Sequence, residues 1–200
     1  MIETPSLIKS KNLIFKPVSI LDFDDFYKSF CNSFDEITPY YIPWWARFEN
    51  VPSAEEMKEF ISENEQNFKN KDGFLFSVYS RENDFIGQAE LHHIDYSVPK
   101  ARLGYWVSTN KAGNGYATEM ASVLTDFGFN ILNCERLEIR NHVRNKASGK
   151  IAQKLGYKFL AIFEKNKMGK KGDLWDLEIH AKLKSENPEK IDIEYIYDQS

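Results

Sequence analysis

Cysteine is scarce in this chain of 200 residues. Cys31 and Cys134 are the only two, far apart and outside any C-x-x-C or histidine-paired spacing. That excludes a disulfide framework and gives no ligand set for a metal; both thiols are expected to be reduced and buried. Positive charge is not in excess either, with 26 Lys and Arg against 30 Asp and Glu, a net −4. Counterion-release binding needs a basic face, so no direct nucleic-acid contact is expected, and a cationic partner suits the chain better. Long apolar runs are missing, which argues against a membrane span. The opening MIETPSLIKSKNLIFKPV lacks the succession of basic, apolar and small residues that marks a secretory signal. The expected location is therefore the cytoplasm. What is present, 42% hydrophobic and 28% charged residues, is enough for one compact core. The reading is a single domain over residues 1–184. After it, SENPEKIDIEYIYDQS at 185–200 alternates in a way that fits either a loose tail or an extra edge strand.

Residues 12–18, NLIFKPV, have strand character, and Ser19 is placed to cap the helix that follows. TPYYIPWWARFENVP has aromatics and prolines without a period, so it reads as a packed loop, either a core lid or a wall of a binding cleft. Ser53 and Glu56 form a capping box at the start of the next helix. FLFSVYS, DFIGQAELHHI and ARLGYWVS then read as an antiparallel meander. From Tyr116 the period changes to 3.6, with Ala117, Met120, Leu124, Phe127, Ile131 and Leu132 on one stripe of a long helix. RLEIRNH is a strand, KASGKIAQKL a short helix closed by Gly156, and YKFLAIFE and LWDLEIHAKL a final strand pair. The order β-α-α-β-β-β-α-β-α-β-β implies an α/β fold, a mixed and mostly antiparallel sheet with helices on both faces.

KAGNGYAT at 111–118 lies where the third meander strand gives way to the long helix. A glycine turn there leaves main-chain N–H groups free at the positive end of the helix dipole, which makes an anion cradle. A side chain at Gly113 or Gly115 would hold a phosphate away from those donors. Two nucleotide motifs fail on spacing. No lysine follows Gly115 as a Walker A loop needs, and Thr118 stands where the dinucleotide fingerprint needs its third small residue. A tight strand-to-helix turn with no ligand is the plain alternative.

The longer pattern RLGYWVSTNKAGNGYATEMASVLTDFGF, followed by RLEIRNHVRNKASGKIAQKLGYKF, resembles the GNAT superfamily of acetyltransferases, and within it the RimJ/RimL-type ribosomal-protein N-terminal acetyltransferases. The resemblance spans residues 10–184 in element order and is specific over 102–160. It implies that acetyl-CoA places its pyrophosphate on the [QR]-x-x-G-x-[GA] turn, matched by AGNGYA, so that Gly113, Asn114, Gly115, Tyr116, Ala117 and Thr118 contact the cofactor. An N-x-x-S motif, matched by Asn145 and Ser148, opens the next helix. The family's usual Gln or Arg is Ala112 here, while every main-chain donor of the turn survives. Weaker or differently shaped coenzyme A binding is expected, not its loss.

Acetyl transfer to an amine asks for a deprotonated amine, a donor to the developing oxyanion and help for the leaving thiolate. The resemblance implies that the strand GYWVS contacts the acetyl group through Trp106, Val107 and Ser108, with the N–H near Val107 meeting the carbonyl. Tyr105 and Val107 also read simply as core strand residues. The resemblance offers Ser148 as thiolate proton donor; as an ordinary first-turn residue behind an Asn145 cap, Ser148 would need no such role. The glutamate that RimL-like enzymes carry before the last strand has no counterpart in EKNKMGKKG, where Glu164 is displaced. Along GQAELHHID a period of two puts Glu90, His92 and Ile94 on one face and Leu91 and His93 on the other. Glu90 and His92 are thus candidates to steer a water towards the amine, or else a structural polar pair. An α-amine with pKa near about 8 asks less of a base than lysine near about 10.4. The expected acceptor is a protein N-terminus; a small amine and a silent acyl-CoA-binding module are the alternatives, with the chain a monomer or homodimer.

Overall fold

The computed structural model describes residues 2–39, 50–169, 172–187 and 191–198. In chain order the elements are β1 (Leu7–Lys9), β2 (Leu13–Pro17), α1 (Phe23–Ile37), α2 (Ala54–Asn70), β3 (Phe74–Ser80), β4 (Phe85–Asp95), β5 (Lys100–Val107), α3 (Tyr116–Asp126), β6 (Arg136–His142), α4 (Lys146–Lys154), β7 (Lys158–Met168), β8 (Leu174–Leu183) and β9 (Glu194–Ile196). Among the described residues the strands form one sheet in the order β7-β8-β6-β5-β4-β3-β2-β1-β9. Every neighbouring pair is antiparallel except β5 and β6. Between those two runs α3, the crossover that parallel neighbours need.

Local chemistry sets the boundaries. Ser19 accepts from the N–H of Leu21 at the head of a short 3-10 turn that leads into α1. Ser53 and Glu56 make both halves of the capping box of α2. Asn145 caps α4, and Gly156 takes a φ of 77° just beyond its end. The long helix changes character where Gly128 meets β6: an added Cβ would lie 2.8 Å from a methyl of Leu137, and the chain from Phe127 to Ile131 widens into a π turn. Residues 194–196, which the sequence leaves open between tail and strand, pair with β1 at the sheet edge.

The helices cover both faces. One core joins α3 and Ala152 of α4 to Phe15, Phe74, Phe76, Ile86, Leu91, Leu103, Leu137 and Ile139. The other joins α1 and α2, through Phe26, Phe30, Met57, Phe60 and Ile61, to Leu75 and Trp106. Each fully buried aromatic or aliphatic side chain in these layers contributes about 1.5–3 kcal/mol. Cys134 is buried as expected; Cys31 is only half-buried on α1, a correction that follows from its place outside the Phe26–Phe30–Phe34 stripe. No helix among the described residues is long and apolar enough to cross a membrane.

Candidate active site

The parallel pair β5 and β6 is hydrogen-bonded only from Lys100↔Arg136 to Leu103↔Ile139. Past that point β5 stays on β4 as far as Val107, and β6 stays on β8 as far as His142. Each arm follows its outer neighbour, so the sheet opens into a V. The opening is the mouth of a cleft of about 680 Å³ that reaches both faces of the sheet. Crevices at the carboxyl ends of parallel strands are where open α/β sheets bind ligands.

On the α3 side, Gly113 and Gly115 hold φ values of 82° and 83°, in the left-handed region, and a Cβ built at either would meet nothing within 4 Å. The space over the turn is open. Thr118 and Glu119 donate to Gly115 O at 3.0 and 3.1 Å. No acceptor among the described residues meets the N–H groups of Gly113, Asn114, Gly115, Tyr116 or Ala117. The Asn114 amide bonds back to the carbonyls of Lys111 and Ala112 rather than filling the turn. Five of the six donors expected from the sequence are thus free; Thr118 is the exception, its N–H already engaged. Five unsatisfied donors at the N-terminus of α3 fit a diphosphate.

At the cleft Ser148 takes part in the Asn145 cap, its N–H donating to Asn145 Oδ1 at 3.2 Å, while its hydroxyl lies 3.0 Å from the hydroxyl of Tyr105. Capping and function are therefore compatible, because the cap uses the main chain and leaves Oγ facing the cleft. Burial pushes the Tyr105 phenol up to about 12, so it stays protonated at neutral pH. Tyr105 is thus more than the core strand residue its sequence suggests. Its face is that of Leu103 and Val107, and only the splay beyond Leu103 opens that face to the cleft.

On the α1 and α2 side, Glu90 of β4 lies opposite Gly104 of β5. A Cβ at Gly104 would come within 2.4 Å of Glu90 Oε1, so this glycine gives the carboxyl its place above the β5 backbone. Burial pushes the carboxyl up to about 7. His92 follows on the same face, lowered to about 4 by burial and by Arg102, Arg140 and Lys167. The expectation for His93 needs correction. Its φ of 50° and the bulge between His92 and Asp95 break the alternation, and its ring swings round to put the two Nδ1 atoms 3.0 Å apart. Both imidazoles border the cleft.

At the end of β5 the three expected contacts separate. Trp106 sends its ring into the α1-side core among Phe26, Phe30 and Phe85, with Nε1 donating to Gln88 Oε1 at 3.2 Å. Ser108 is buried; its N–H goes to Ile86 O at 2.8 Å and its hydroxyl meets Ser29 of α1, so it is a strut and neither polar group is left for a cofactor. Successive N–H groups of a strand point to opposite sides. With Ser108 bonded to β4, the Val107 N–H faces the splay. Ser33 accepts from the Thr109 N–H at 3.0 Å, so α1 also tethers the loop leading to the glycine turn. Glu164 is exposed on β7, and YYIPWWARF at 40–48 falls outside the described residues.

A splayed mixed sheet with a main-chain anion cradle heading the helix after one arm is the architecture of acyl-CoA N-acyltransferases. Residues 12–158 match the model described as an acetyltransferase (GNAT) domain, and the chain belongs to that family. It is an N-acetyltransferase that takes its acetyl group from acetyl-CoA. Among curated proteins it is similar to the uncharacterized N-acetyltransferase YoaA of Bacillus subtilis, 24% identical over 179 residues, covering 89% of this chain and 97% of the relative. Among solved structures, RimJ of Mycobacterium smegmatis in complex with CoA-disulfide superposes with a TM-score of 0.84 at 16% identity, covering 92% of this chain and 90% of the other. RimL, a ribosomal L7/L12 alpha-N-protein acetyltransferase in complex with coenzyme A, does so with a TM-score of 0.79 at 17% identity, covering 88% and 97%. The fold is thus that of RimJ/RimL-type members.

Proposed function

We propose that this protein acetylates the α-amine of a protein N-terminus by direct attack in a ternary complex, with Glu90 as the general base. The observation that carries the reading is the Glu90 carboxyl, raised to about 7 beside Gly104, on the opposite side of the splay from the Tyr105–Ser148 pair. Bound acetyl-CoA supplies an acetyl group activated as a thioester. Gly113 to Ala117 hold its diphosphate through main-chain N–H groups, and Asn145 fixes the start of α4 so that Ser148 faces the cleft. The Val107 N–H is aimed at the carbonyl oxygen as it gains charge. Glu90, directly or through a water shared with His92, removes the proton from the incoming ammonium. A base matched to neutral pH suits an amine of pKa near about 8. Ser148, backed by the Tyr105 hydroxyl, donates to the departing sulfur; a thiol of pKa near about 8.5 needs no stronger acid.

The same arrangement weighs against the other two readings. Arg102, Arg140 and Lys167 on the sheet wall, across the cleft from Glu36 and Glu63, deny a polyamine a uniformly acidic site, and a base placed in the cleft gives a silent binding module no explanation. A cytoplasmic site of action goes with this reading. Free-thiol release from acetyl-CoA, measured with peptides bearing a free α-amine, the same peptides blocked at that amine but carrying lysine, and small polyamines, tests it. Turnover restricted to free α-amines is the expected result; turnover of the polyamines alone, or of none despite coenzyme A binding, sinks it.

A further inference from the structure

The acceptor half of the cleft has two walls of opposite charge. Helices α1 and α2 contribute Glu36 and Glu63, while the sheet contributes Arg102, Arg140 and Lys167 from β5, β6 and β7. The sheet cations are not matched by carboxylates. Glu138, 8% exposed, gives one oxygen to Arg136 (2.9 and 2.7 Å) and the other to Arg140 (2.9 and 2.7 Å). Arg102 is left with a loose contact, its Nε 3.8 Å from the same Oε2. The side chain of Lys167, half-buried at the cleft, has no ion pair or hydrogen bond among the described residues. Three arginines thus share one carboxylate, and two of them border the cleft together with an unpaired lysine. Their field reaches His92 and His93, which it helps to keep neutral. A chain with a net charge of −4 has concentrated positive charge beside its own reaction site.

The register sets the distance. Glu90 lies opposite Gly104, and His92 lies opposite Arg102, two residues further along both strands. Two strand residues span about 7 Å, which is also about the reach of two residues of an extended peptide. A guanidinium fork takes a carboxylate or a phosphate in the same geometry.

Resting on the acetyltransferase reading of this cleft, we propose that the protein selects an amine with an anionic group about two residues away, foremost a protein N-terminus with acidic side chains at its second or third position, held by Arg102, Arg140 and Lys167 while the amine meets Glu90.

The test uses the purified full chain, saturating acetyl-CoA and four peptides with one free α-amine, differing only at the second and third positions: Asp-Asp, phosphoserine-Ala, Ala-Ala and Lys-Lys. An aminoalkyl carboxylate of similar reach completes the panel. The Asp-Asp peptide is expected to exceed Ala-Ala in kcat/KM by at least about tenfold, the scale of one good charge-assisted hydrogen bond, with Lys-Lys lowest. In Lys167→Gln the preference for Asp-Asp over Ala-Ala shrinks through KM; Arg102→Gln shrinks it further, and the Lys167 variant, half-buried and without an ion pair to break, keeps the test valid should Arg102→Gln not fold. A phosphoserine peptide outrunning Asp-Asp supports the same subsite with phosphate as its anion. Equal kcat/KM across the four peptides overturns the inference and leaves N-terminal acetylation standing. Turnover of the aminoalkyl carboxylate without any peptide does the reverse.

Discussion

The two sides of the splayed sheet are built from different materials. On the α3 and α4 side, two neutral hydroxyls, Tyr105 and Ser148, border the cleft, and the turn that runs into it at Ala117 offers the free main-chain N–H donors of residues 113–117. On the α1 and α2 side they are charged or titratable side chains: Glu90, His92, His93, Arg102 and Arg140. A main-chain site depends on backbone path, which many sequences can trace, so the donor side is expected to tolerate the loss of a side chain such as the one missing at Ala112. A side-chain site changes with each substitution. One side is suited to holding the same cofactor throughout a family, the other to choosing an acceptor.

The acceptor side should show the largest effect. Glu90→Gln removes the proposed base and is expected to lower kcat/KM by about a hundredfold or more, while the Kd for coenzyme A, read by calorimetry, stays within about twofold because no donor of the glycine turn moves. The wild-type rate should rise with pH through about 7, where Glu90 ionises, and this limb should vanish in the variant. Stability moves the other way. Between the ordinary glutamate value and about 7 the folded state keeps a proton that the unfolded state has lost, so Glu90 costs stability progressively across that window and fully above it. The Tm of Glu90→Gln should therefore gain on wild type as the pH rises through that window. A parallel loss of coenzyme A binding would undo the division between the two sides.

Gly115→Val attacks the donor side. A β-branched residue at φ 83° costs about 1–2 kcal/mol or more, and relief of that strain closes the turn. The expected result is a rise of about tenfold or more in KM for acetyl-CoA, with the order of preference among acceptors unchanged. If acceptor preference changed as much as cofactor affinity, the two sides would not be independent.

The same contrast in materials explains which parts of the site are legible in the sequence. KAGNGYAT and N-x-x-S are local: a turn, a cap and the start of a helix, each written in consecutive residues. The alternation of β4 puts Glu90 and His92 together for the same reason. Gly104 as the seat of Glu90, and the convergence of Arg102, Arg140 and Lys167, come from strands paired across β4, β5, β6, β8 and β7. Register and splay are not written in consecutive residues. His93 departs from its expected face for a subtler reason, since a single positive φ ends a period of two without leaving a glycine to announce it. Tyr105 is visible as a residue but not as part of a cleft wall, because the face it shares with Leu103 is core up to the last paired residue and open after it.

A milder change separates hydroxyl help from main-chain grip. Ser148→Ala keeps the Asn145 cap, which uses the Ser148 N–H, and removes only Oγ. With one neutral hydrogen bond at stake, worth about 0.5–1.5 kcal/mol, kcat should fall by about three- to tenfold with KM for acetyl-CoA little changed. Tyr105→Phe should cost less in the parent, and nearly nothing once Ser148 is gone, since its hydroxyl acts through Ser148.

The smallest expected effect concerns the residue that departs from the family's pattern. Ala112 is exposed, extended at ψ 157°, and gives its N–H to Thr109 O at 3.2 Å. A glutamine there keeps that bond and the path of the turn while adding a side-chain amide beside Gly113 and Asn114. Because five free N–H groups are already on offer to a diphosphate, Ala112→Gln should lower KM for acetyl-CoA by about two- to fivefold, the scale of one solvated hydrogen bond, with kcat and acceptor preference as in the parent. A gain of about a hundredfold, far beyond one such bond, would mean that the main chain alone holds the cofactor poorly, and that the division between a backbone side and a side-chain side is less clean than the open turn suggests.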